Sequence, residues 1–184
     1  MSFIQLCNNT KHFFTDEDGE FSSFIPNTEV IASALCFINR YNGHAGAYSV
    51  AQHSIHVYQQ IKFLFPDDYR LQLSALMHDA PEAYLGDITS PLKTLLPDYK
   101  RIESHYHKVI DKHYGIETED PRIKEVDLKI LATEAKSFGL DIVSDELEKH
   151  GLIPFDFEIK RDSVDMTYQA FMGIYNHLAA QCYG

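Results

Sequence analysis

Four residues of this sequence stand out for the chemistry they can do together: His53, His78, Asp79 and Asp127. Two imidazoles and two carboxylates form a mixed nitrogen and oxygen donor set that suits Mn, Fe, Co, Ni or Zn, whereas an all-oxygen set would favour Mg or Ca. Each of the four falls on an otherwise apolar helical stripe. Burying such groups without a counter-ion is costly, and a divalent cation removes that cost. Taken one at a time, each is most simply a hydrogen-bonded polar residue of a core. Taken as a set, they point to a metal site, because perturbed ionisable groups gather at functional sites.

Helices must do the positioning. Ser49 to Phe65 places Val50, His53, Val57, Ile61 and Leu64 on one stripe, with His56, Gln59, Gln60 and Lys62 facing away. After the break at Pro66-Asp67-Asp68, a second helix is expected from Tyr69 to about Tyr84, with Leu71, Ala75, His78 and Glu82 on its inner face. Neighbours on a helix diverge by about 100°, so His78 and Asp79 would share one ion only if it sat over the edge between them. Pro121 opens a helix that runs to Phe138 with Gly139 behind it, and Ile123, Asp127, Ile130 and Glu134 share its inner face.

Around these lie further helices, read from Glu29 to Ile38, from a Ser90-Pro91 start, from Asp98 to Tyr114 and from Ser163 to Cys182. Turn-forming clusters in the first 28 residues indicate a loop or short hairpin, and His12 and His150 are expected in polar loops. The chain thus reads as one all-α domain, a helical bundle with a short irregular N-terminal segment. Its 184 residues, 45% hydrophobic and 23% charged, suffice to bury one core.

With 27 acidic against 16 basic residues, the net charge of −11 repels nucleic-acid polymers and membrane surfaces. Small anions stay admissible where a few cations converge. Three cysteines without zinc spacing argue against a disulfide framework and for a reducing cytoplasm. No signal peptide or membrane span is read from the sequence.

The runs Tyr48-Ser49-Val50-Ala51-Gln52-His53-Ser54, Ala75 to Lys93 with His78-Asp79-Ala80-Pro81-Glu82 at its centre, and Lys124-Glu125-Val126-Asp127 resemble the HD-domain phosphohydrolases. Within that superfamily the chain is most similar to the small group containing bacterial 5′-deoxynucleotidases and viral dATP triphosphohydrolases. The similarity spans about Ile38 to Phe138. The order His, then His-Asp, then a distant Asp is far more specific than an isolated HD dipeptide. The resemblance implies that His53, His78, Asp79 and Asp127 hold one divalent transition metal, Zn, Co or Mn. It implies that Glu82 is the general acid/base and that Asp87 lies at the sugar and leaving-group side.

By the same resemblance Arg40 contacts substrate phosphate, Tyr41 stacks on the base, and Lys93 and Lys124 are further phosphate ligands. The expected reaction is hydrolysis of a deoxynucleotide at its 5′ ester, mono- or triphosphate, by a homo-oligomer, either dimer or hexamer. Two alternatives remain open: an HD hydrolase of another phosphoester, such as a cyclic nucleotide or guanosine alarmone, and a nucleotide-sensing module with little chemistry.

Overall fold

The apolar stripes become helices in the computed structural model, which describes residues 3–140, 151 and 153–184. His150 lies outside the described residues. The N-terminal segment closes as a hairpin of β1 (Phe3–Gln5) and β2 (Lys11–Phe13), antiparallel, pairing Phe3 with Phe13, Ile4 with His12 and Gln5 with Lys11. Helix α1 (Thr28–Phe37) begins where the Asn27 side chain accepts the Val30 N–H. A short 3-10 turn at Arg40–Gly43 follows, and then α2 (Val50–Leu64), capped by Ser49.

Helix α3 (Tyr69–Leu76) is capped by Asp68. The order continues through α4 (Glu82–Leu85), α5 (Ser90–Lys93), α6 (Pro97–Tyr114), α7 (Pro121–Phe138) and α8 (Val164–Tyr183). Gly115 and Gly139 end α6 and α7 with φ of 58° and 66°, a left-handed cap that glycine adopts without the usual Cβ penalty. The described fold is therefore all-α apart from the hairpin.

Helix α2 holds the molecule together, packing against α1, α3, α7 and α8. On one flank Ala51, Ile55 and Tyr58 join Ile31 and Leu35 of α1, Leu73 and Leu76 of α3, and Phe171 and Leu178 of α8. On the other, Val57 and Ile61 join Leu71 and Ala75 of α3 and Ile123, Val126 and Ile130 of α7. Each fully buried aliphatic side chain contributes about 1.5–3 kcal/mol, so these clusters form a rigid frame able to carry polar groups between them.

Four expectations need correction. The helix expected from Tyr69 to Tyr84 ends at Leu76, where Met77 turns out with φ −102° and ψ 5°. Pro81 explains the break: it has no N–H to give the Met77 carbonyl, and its ring would clash there. That carbonyl accepts the Ala80 N–H instead. Ser90 does not cap α5, since Thr89 occupies the cap position and makes no side-chain bond there.

Leu64, expected on the inward stripe, is half exposed at the end of α2. His12 is not in a polar loop but on β2, where strand alternation turns it inward among Phe14, Phe24, Tyr84 and Tyr106. Among the described residues no helix is long and apolar enough to cross a membrane.

Candidate metal centre

His53 projects from the middle of α2, Asp127 from the second turn of α7, and His78 and Asp79 from the turn that replaces the continuous helix. The turn resolves the geometric difficulty of two adjacent ligands, because outside a helix both side chains can aim at one point. His53 Nε2 lies 3.3 Å from His78 Nε2, 3.2 Å from Asp127 Oδ1 and 3.6 Å from Asp79 Oδ2. Asp79 Oδ2 lies 3.3 Å from His78 Nε2. One donor atom each from His53, His78 and Asp127 falls within 4.8 Å of the others.

These four groups fit a metal ion on two counts. Bonds of about 2.0–2.1 Å place neighbouring ligand atoms roughly 2.9–3.4 Å apart, close to the separations here. The second count is protonation. His78 Nδ1 donates to the Ala75 carbonyl at 2.8 Å, and His53 Nδ1 to Glu134 Oε1 at 2.6 Å, so in neutral rings both Nε2 lone pairs face the cluster.

Lone pairs turned on each other and on two carboxylates repel unless a cation, or a proton, lies among them. The pKa values express the same demand. Burial and then Arg40 push His53 down, yet Glu134 and Asp127 outweigh them and hold it up at about 9. Burial alone would raise both aspartates. The His78 and His53 imidazoles instead hold Asp79 below the usual carboxylate range, and the His53 bond holds Asp127 well below it.

Glu82 opens α4 and is buried, with Oε1 3.7 Å from Lys93 Nζ and Oε2 without a hydrogen-bond partner among the described residues. Its carboxyl is pushed well up, first by burial, then by Asp79 and Asp87. Lys93 also binds Glu103 at 2.6 Å. Asp87, half-buried beyond Gly86, has its carboxyl pushed up by burial and makes no hydrogen bond among the described residues.

Arg40 and Tyr41 approach from the 3-10 turn. Arg40 Nη1 is 3.8 Å from Asp79 Oδ2, while its Nε donates to Glu134 Oε2 at 3.2 Å. Tyr41 gives its hydroxyl to the same Oε2 at 2.7 Å, and its ring sits beneath the Arg40 guanidinium. Tyr41 and Asn42 both have left-handed φ, 55° and 50°, which for residues other than glycine costs of order 1–3 kcal/mol each. Lys124 Nζ donates to Asp127 Oδ2 at 2.8 Å from an exposed position. All three candidate phosphate ligands thus lean on carboxylates.

Two residues of the site carried no assigned role in the sequence reading. The helical period puts Glu134 on the inner face of α7 but does not show its partners. Tyr48 stands just before α2, and its hydroxyl donates to Glu134 Oε1 at 2.9 Å. His56, expected on the polar face, is half-buried with Nδ1 2.9 Å from that hydroxyl, and its pKa is lowered to about 4, chiefly by burial and then by His53. The glutamines beside His56 gave the face a polar look, but the C-terminal segment, with Phe157 6.5 Å away ring to ring, covers it.

Fold and site together define a helical protein with a buried histidine and aspartate cluster at the meeting of α2, α7 and the α3–α4 turn. No family model matches the chain. Over 143 residues it is 42% identical to the uncharacterized protein YfdR of Escherichia coli (strain K12), covering 77% of this chain and 75% of that one. The chain belongs to the same family as YfdR. It is also 36% identical over 93 residues to an uncharacterized protein of Rhodobacter capsulatus, across 48% of this chain and 47% of the relative.

Proposed function

We propose that this chain is a metal-dependent phosphohydrolase of the HD-domain type, cleaving the 5′-phosphate ester of a deoxynucleotide, mono- or triphosphate, to release the deoxynucleoside. The reading rests above all on the convergence of donor atoms of His53, His78 and Asp127 from three separate segments within 4.8 Å of one another, with Asp79 Oδ2 3.6 Å from His53 Nε2 and 3.3 Å from His78 Nε2. These residues would hold the ion, taken as Zn, Co or Mn. When bound, such an ion polarises a phosphoryl group and acidifies water.

The chain's own residues supply the rest. Glu82, whose carboxyl burial pushes well up and whose Oε2 has no hydrogen-bond partner among the described residues, is suited to deliver a proton to the leaving 5′ oxygen. Arg40, Lys93 and Lys124 exchange their carboxylate partners for phosphoryl oxygens and so neutralise charge on the substrate. Asp87, whose charge acts on Glu82 and which makes no hydrogen bond among the described residues, is suited to the sugar. Tyr41 reaches a base only after releasing Glu134. The proposal extends to a cytoplasmic homo-oligomer, dimer or hexamer, acting on a small deoxynucleotide rather than on nucleic-acid polymers.

The pairing of all three cations favours one second reading, a nucleotide-sensing module that holds its ligand without turnover. Phosphate release from a panel of deoxynucleoside monophosphates, with chromatography of triphosphate reactions after loading with Mn, Co or Zn, separates the two. Deoxynucleoside as product supports the hydrolase. Tight nucleotide binding with no product under every metal supports the sensor.

A further inference from the structure

Glu134 sits fully buried on α7, and its carboxylate is saturated by four donors. Oε1 accepts from His53 Nδ1 at 2.6 Å and from the Tyr48 hydroxyl at 2.9 Å. Oε2 accepts from the Tyr41 hydroxyl at 2.7 Å and from Arg40 Nε at 3.2 Å. An ionised carboxylate can only accept, so the direction of every bond is fixed. His53 must carry its proton on Nδ1 and turn Nε2 to the cluster, and Tyr48, having given its proton away, must accept from His56.

We propose that Glu134 is the positioning residue of this site, one carboxylate that sets the tautomer of the ligand His53 and at the same time tethers the Arg40–Tyr41 arm beside it. The inference rests on the reading of the cluster as a metal centre. A carboxylate behind a ligating histidine orients the ring and raises its basicity. The second oxygen does something a simple orienting carboxylate does not. It anchors the left-handed turn at Tyr41 and Asn42 and so holds Arg40 within 3.8 Å of Asp79. Ligand and arm are thereby linked through a single side chain.

Glu134→Gln is the informative variant because it keeps volume while replacing one oxygen by a donor. The amide nitrogen must face either His53 and Tyr48 or Tyr41 and Arg40, setting donor against donor on whichever side it takes. Chelator-treated full-length protein is titrated with Co²⁺ and followed by visible absorption. Wild type is expected to fill one site, and Glu134→Gln to lose about 10- to 100-fold in affinity with a changed cobalt spectrum, whereas a loss within about twofold would overturn the proposal.

Wild type that fails to bind Co²⁺ overturns the metal reading itself, a result distinct from equal binding by both proteins. If Glu134→Gln does not fold, ¹⁵N NMR of the Zn²⁺-loaded wild type decides. A protonated Nδ1 on His53 with Nε2 bound to the ion supports the role. The reverse tautomer excludes it.

Discussion

At the scale of single residues, the proposed ligands and the proposed proton carrier separate by what surrounds them. Donor atoms of His78, Asp79 and Asp127 lie 3.2–3.6 Å from His53 Nε2, whereas Glu82 stands one step outside, beside Lys93. Asp79→Ala is therefore expected to lose both the metal and turnover. Glu82→Gln should keep stoichiometric metal while kcat falls about 10²- to 10⁴-fold, the usual range for a positioned acid or base. Metal content by mass spectrometry and phosphate release check the pair, and full activity in either variant contradicts these roles. His53, His78 and Asp127 stand out in the sequence because each interrupts an apolar stripe, and Asp79 through its place beside His78. Glu134 was legible as inward through its place one face along from Asp127, but its partners were not. Tyr41 and Tyr48 come from irregular chain, where no period relates them to α7.

Among the elements, most helix ends were legible because they are local chemistry: Ser49 and Ser163 cap α2 and α8, and Gly115 and Gly139 close α6 and α7. The α3–α4 break was not, since the apolar stripe continues through Pro81 to Glu82. That break is what lets His78 and Asp79 share a target. The short hairpin was one of two readings open to the first 28 residues, a loop or a hairpin, since a strand only three residues long carries little alternation.

His12 on β2 fastens that hairpin to α4 and α6, with Nε2 2.6 Å from the Tyr106 hydroxyl. Burial lowers its pKa, so the neutral form belongs to the folded state and the unfolded chain takes up the proton first. Its contribution is complete above the unfolded value of about 6.5 and is lost as pH falls through that value toward the folded one. Urea unfolding between neutral and mildly acidic pH should show stability declining. His12→Gln, which cannot titrate, should flatten that part of the slope, and an unchanged slope argues against a buried neutral imidazole.

For the whole molecule, the net charge of −11 sets the long-range field and the local cations set the short-range one. A nucleotide anion approaching from solution meets repulsion before it meets Arg40, Lys93 or Lys124, each already held by a carboxylate. kcat/KM for a deoxynucleotide is expected to rise as ionic strength goes from about 0.01 to 0.15 M, because the screening length shrinks from roughly 30 to 8 Å. A steady fall over that range would mean that the site cations govern encounter. Composition made the sign of this field plain from the outset. The arrangement of α1, α3, α7 and α8 around α2 was beyond it, since stripes say which faces are buried but not against which neighbour.

One ion is expected to bind where these helices meet. Anomalous diffraction from crystals of the full chain grown with Co²⁺ or Zn²⁺, recorded at the edge of the added metal, tests it most directly. One strong peak per chain is expected, bonded to His53 Nε2, His78 Nε2, Asp79 and Asp127. A cluster that stays without a peak under saturating metal, or a principal peak held by other residues, would contradict it.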